Sequence, residues 1–255
     1  MSEEGQAVEV EGQAVDQVAA EEATVPDAPP AQPSVNGHNG AASALSAAAD
    51  VRPCPIPSGS VIFGELTSAF VDGPRLLRFL GDRKHTGAVI DAGGERVQVA
   101  VLHEGEIVGM VSTAGGATRR LDTIGLPTPG SAAADEHQLT VLTYRPEVAV
   151  ALGQLVNLKE RFERMHGSFV DFPALLAFLQ RESANGGVRI TTRDDTGVVL
   201  LRNGRVLGAY TTRKPELEDA EVVFELAKAP DAEVDVHVGA LQVPPPSVSV
   251  RSVVK

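Results

Sequence analysis

His103 and Glu104 stand side by side in VLHEGEIVGM, residues 101–110. An imidazole beside a carboxylate is the pairing a hydrolase uses when a nucleophile lies within reach. The phrase returns as VLLRNGRVLGAY, residues 199–210, with Arg202 and Asn203 at the matching positions. A turn that forms without the pair does not require its chemistry, so a solvated turn histidine is expected here. A second candidate is Thr113-Ala114-Gly115-Gly116-Ala117 running into Arg119 and Arg120. Glycines at a helix N-terminus can offer free N–H groups to an anion. The stretch has neither the Gly-Lys-Ser/Thr ending nor the Gly-x-Gly-x-x-Gly spacing of phosphate loops. It reads first as a flexible connection, with an anion contact at Gly115, Gly116, Arg119 and Arg120 as the alternative. His85 and His166 stand at element starts, where a polar ring is usually solvated. Cys54, the single cysteine, lies between prolines in RPCPIP, far from any base that would activate it. No Cys/His set has metal-ligand spacing, so neither disulfide, metal nor cofactor is expected, and the chemistry suits a reducing cytosol.

Composition narrows the class further. The net charge is −12, but residues 1–50 hold nine acids and no Lys or Arg, leaving 25 acids against 22 bases in the remainder. A nearly neutral folded part lacks the basic footprint of a nucleic-acid binder. No run of about 18 apolar residues is present, so no membrane insertion is expected. Residues 1–57 are rich in Ala, Glu, Pro, Gly and Ser without an aromatic residue, and read as a disordered acidic tail and linker. Within that tail EGQAV occurs at 4–8 and again at 11–15, which simple duplication explains.

The repeated phrase belongs to a longer likeness. LLRFL at 76–80 matches LLAFL at 175–179, and TGAVI at 86–90 matches GGVRI at 186–190, at an offset of 99 to 100 residues. Constant spacing across several elements argues for a duplicated unit. In the first copy Pro74 opens a helix, and three strands follow across turns at Ala92-Gly93-Gly94 and His103-Glu104-Gly105. In the second a helix over Phe172–Glu182 precedes the same meander, with Asn203-Gly204 as its hairpin turn. Pro215 is expected to open a further helix, ELEDAEVVFELAK, before the strand EVDVHV. Between the copies, Ala151, Leu155, Leu158, Phe162 and Met165 are spaced 4, 3, 4, 3 along PEVAVALGQLVNLKERFERM. That is a helix packed on its own domain, or a coiled-coil seam that would admit a homodimer. Arg78 and Arg83 lie on a charged helix surface that could engage an acidic partner.

The Leu-Leu-x-Phe-Leu helix, the Lys-His-Thr-Gly step at 84–87 and the strand followed by Glu-Gly-Glu-Ile-Val-Gly at 104–109 resemble the PATAN-like domain. That bacterial family occurs beside receiver domains in signalling and motility regulators. The resemblance covers roughly 57–112 and 167–238. It implies a protein-interaction module without catalytic residues.

The expected fold is therefore α+β: two duplicated units of helix plus antiparallel sheet with a C-terminal helix, preceded by a disordered tail. The boundaries are 1–57 for the tail, 58–165 for the first unit with its connecting helix, 166–240 for the second, and 241–255 for a flexible end. The expected function is a cytoplasmic, non-catalytic adaptor with a protein partner, and the alternative is a sensor of a small anion or nucleotide.

Overall fold

Asp72 and Asp171 each end an extended stretch and begin a helix. Each carboxylate accepts a hydrogen bond from the backbone N–H three residues on, at Arg75 (2.9 Å) and Ala174 (3.0 Å). Pro74 and Pro173 follow in the first turn, where a missing N–H costs nothing. A computed structural model of the chain describes residues 56–94, 96–115, 117–130, 137–239 and 247–253. The acidic segment with its EGQAV pair, Cys54 and Gly116 lie outside the described residues.

In chain order the elements are β1 (Ser60–Thr67), α1 (Gly73–Asp82), β2 (Gly87–Gly93), β3 (Arg96–His103), β4 (Glu106–Ala114), β5 (Ala117–Arg120) and β6 (His137–Thr143). There follow α2 (Pro146–Asn157), β7 (Phe162–His166), α3 (Phe172–Arg181), β8 (Asn185–Thr191), β9 (Thr196–Arg202) and β10 (Arg205–Thr211). A 3-10 turn at Ala220–Val223 leads into α4 (Phe224–Ala227), then β11 (Glu233–Gly239), β12 (Val248–Ser249) and α5 (Val250–Val253). The class is α+β, and the strands pair antiparallel in both sheets.

The first sheet runs β1-β6-β2-β3-β4, with β5 and β12 both on the far edge of β4. The second runs β7-β11-β8-β9-β10. Each sheet therefore carries the strand that precedes its helix at one edge and the last strand of its meander near or at the other. Between them lies α2, which touches β3 and β4 on one side and β8 and β9 on the other. A helix covered on both sides has no polar face to spare. Accordingly Val148, Ala149, Ala151, Leu152 and Leu155 are all buried, in one core with Val101 and Val108 of the first sheet and Val198 and Leu200 of the second. The opposite faces hold two further cores, one with Leu77 and Leu80 of α1, the other with Phe172 and Leu179 of α3.

Two expected helices differ from the structure. The 4, 3, 4, 3 spacing does not form a seam, because α2 ends at Asn157 and Leu158 is extended. The Arg161 N–H then donates to the Val236 carbonyl (2.7 Å), and Phe162 and Met165 pair with β11 as part of β7. Sheet hydrogen bonds win over the helical pattern, and the second sheet begins at Phe162 rather than 166. Nor does a helix open at Pro215: Glu218 exchanges two backbone hydrogen bonds with Ala209 (2.7 and 2.9 Å), which holds the chain extended until Ala220.

Candidate functional site

The two hairpins carrying the repeated phrase are built alike. Glu104 and Asn203 have φ of 51° and 50°, and Gly105 and Gly204 follow at 85° and 73°. Gly105 donates to the His85 carbonyl (2.9 Å) and Gly204 to the Ala184 carbonyl (2.8 Å). The preceding N–H finds a side-chain oxygen in both, Thr86 Oγ1 for Glu104 (2.9 Å) and Asn185 Oδ1 for Asn203 (3.0 Å). His103 and Glu104 thus sit on a turn whose fixed contacts are made by backbone, as the second hairpin makes them with other side chains. A register shift follows in each hairpin, leaving Val108 and Leu207 as the bulged residues. The two ends of α2 secure these bulges: Asn157 Nδ2 donates to the Val108 carbonyl (2.7 Å), and the Arg145 guanidinium to the Leu207 carbonyl (3.3 Å).

The glycine-arginine candidate does not converge. Ala114 and Ala117 close a β-hairpin, with Gly115 at φ 58° in the turn, so no helix N-terminus stands there. Arg119 and Arg120 are exposed successive residues of β5, and successive strand side chains leave opposite faces. Two diverging guanidiniums do not cradle one anion. Arg78 is exposed on α1, and Arg83 follows its last turn with the guanidinium 5.3 Å from the Phe79 ring. His85 Nε2 donates to the Leu142 carbonyl (2.9 Å), and His166 Nδ1 accepts from the Ser168 N–H (3.4 Å) with its ring 5.5 Å from that of Phe169.

Sequence reading missed the buried polar groups. On the first sheet Asp91, fully buried, receives His137 Nδ1 at 2.7 Å and Gln98 Nε2 at 3.3 Å. A buried acid orienting a partly exposed imidazole is half of a general-base device. The hydroxyl of Ser68, however, donates to the carbonyl of His137 (3.1 Å) and not to its ring. On the second sheet Asp235 accepts from Arg189 (3.2 Å) and from the Arg164 N–H (2.8 Å). His237, two residues on, is buried beneath the end of α2 and donates Nδ1–H to the Leu158 carbonyl (3.3 Å). Its Nε2 has no hydrogen-bond partner among the described residues. Those residues contain no group of three His, Cys, Asp or Glu arranged to hold a metal, and no helix long and apolar enough to cross a membrane.

Burial, reinforced by the charge of Arg189, holds the His237 pKa below its ordinary value near 6.5, against the opposing pull of the Leu158 carbonyl, Glu160 and Asp235. A histidine whose folded pKa is depressed contributes nothing to pH dependence while both states are neutral. As pH falls below about 6.5 the unfolded chain takes up a proton that the folded chain resists. Stability is therefore expected to drop from pH 7.5 to pH 5.5, and His237→Gln should flatten that part of the profile in urea titrations. An unchanged slope in the variant would assign the acid sensitivity elsewhere.

The largest unexplained feature is at the surface. Phe70 is 76% and Phe169 88% exposed, and each stands two residues before the aspartate that caps α1 or α3. Around α1 the exposed surface continues through Arg75, Arg78, Phe79, Arg83 and Lys84. No protein-family model and no curated protein matches this chain.

Proposed function

We propose that the chain is a non-catalytic adaptor of bacterial signalling or cellular organisation that works by contact with a protein partner. We further propose that its two sheets, each with its helix, are copies of one PATAN-like unit, working in the cytoplasm. The observation that carries the adaptor reading is the pair Phe70 and Phe169, both far more exposed than a phenylalanine gains from being. Burying such a side chain is worth about 1.5–3 kcal/mol, which folding forgoes twice at matching positions. Single exposed apolar residues are ordinary, but rigidly placed aromatic groups are the anchors that protein interfaces use. The shared strand order, the shared bulge and the matching helix caps support the duplication.

Phe70→Ser and Phe169→Ser, combined, test the reading. Both side chains are solvated, so stability should move by no more than about 0.5 kcal/mol. Affinity capture from native lysate should lose the proteins that the unaltered chain retains. Retention of the same set by a folded double variant would count against the two phenylalanines as anchors.

A further inference from the structure

The bulged strands β4 and β10 occupy the same place in their sheets, but their outer edges are finished differently. On β4 the edge at Glu106 and Ile107 is covered by the chain's own β12, with Val248 opposite Ile107 and Ser249 opposite Glu106. The next residue, Val250, is 3% exposed and packs into the core beneath α1. The matching positions of β10 are Arg205 and Val206, which pair with β9 on one side and have no described strand on the other. Beyond the bulge, the bridge between Ala209 and Glu218 closes the edge again. What remains open is a cleft of about 670 Å³ lined by Val206, Leu207, Gly208 and the segment Leu217–Val222. Val206 is 41% exposed within it.

We propose that this open edge of β10 is a docking site for an extended, basic segment of a partner protein, which adds a strand at Arg205 and Val206. An unpaired edge presents N–H and C=O groups that only another extended backbone satisfies in series, and β12 shows how this molecule meets the need on β4. The charge of the occupant follows from the rim. Glu218, Asp219 and Glu221 line the cleft and are exposed, and no Lys or Arg is among its lining residues. Arg202 and Arg205, paired at the hairpin end, and Arg145, which donates to the Leu207 carbonyl, stand outside that lining. A segment carrying Lys or Arg beside apolar residues complements that rim, and an acidic one is repelled. The site uses neither Phe70 nor Phe169, so it goes beyond the adaptor reading and stands or falls separately.

The probe is a labelled peptide of residues 247–255, SVSVRSVVK, with an amidated end: it has two cations, no acidic side chain, and the sequence that already pairs with β4. Added to the full chain, it should bind saturably, more weakly as salt rises, and should slow hydrogen exchange across residues 203–209. Glu218→Lys with Glu221→Lys should weaken binding by about tenfold, whereas Glu163→Lys on the opposite edge of the sheet should leave it unchanged. Absence of saturable binding would overturn the proposal. So would binding indifferent to the charge reversal, or protection appearing across residues 104–110, which would mean that the peptide had displaced β12 instead.

Discussion

Replacing Asp235 by alanine should destabilise the fold by about 3–5 kcal/mol, the usual consequence of removing one member of a buried ion pair. The Asp235 side chain is 3% exposed and that of Arg189, 3.2 Å away, 12%. The loss comes less from the missing attraction than from a guanidinium left in a poorly solvated place, with the Arg164 N–H deprived of its acceptor at the same time. Changing both partners, Asp235→Leu with Arg189→Met, removes the stranded charge and should recover a large part of the loss. Urea titrations of the three variants decide the matter. A loss below about 1 kcal/mol in the single variant would show that water screens the pair as it screens surface bridges.

The second large effect is expected at the hairpin glycines. Gly105 and Gly204 hold φ of 85° and 73°, and a Cβ at either would press on the carbonyl oxygen of Gly81 or Gln180, backbone atoms that cannot swing away. A left-handed conformation costs an L residue about 1–2 kcal/mol, and overpacking adds about 1–3 kcal/mol. Gly105→Ala and Gly204→Ala should therefore each lose about 2–5 kcal/mol. Similar losses at both positions, read from denaturation midpoints at unchanged slope, are expected of two hairpins built alike. A loss confined to one would mean that their shared geometry does not carry shared energetics.

Much of this was written locally in the chain. Pro74 in the first turn of α1, the Asn203-Gly204 turn and the alternating apolar runs each act within a few residues, and each appears where those residues require it. The failures are non-local. The 4, 3, 4, 3 pattern through Met165 breaks because the backbone after Asn157 is drawn onto β11, a strand about seventy residues later. The alternation Val-Asp-Val-His-Val in β11 reads as one apolar and one solvated face. Asp235 and His237 are nevertheless buried, because α2 and the Leu158 turn cover the second face, and no residue of β11 announces that. Phe70 and Phe169 are visible in the phrases FVDGP and FVDFP, but only the fold reports that neither ring is covered.

The interaction reading turns on what those two rings touch. Placing a photo-crosslinking phenylalanine analogue at position 70, and separately at 169, in the full chain and irradiating in native lysate reads that contact directly. A discrete protein adduct from each position, absent when the analogue stands at the exposed Arg193, is the expected result. No adduct from either position, with the analogue incorporated and the chain folded, would contradict a function carried by this surface.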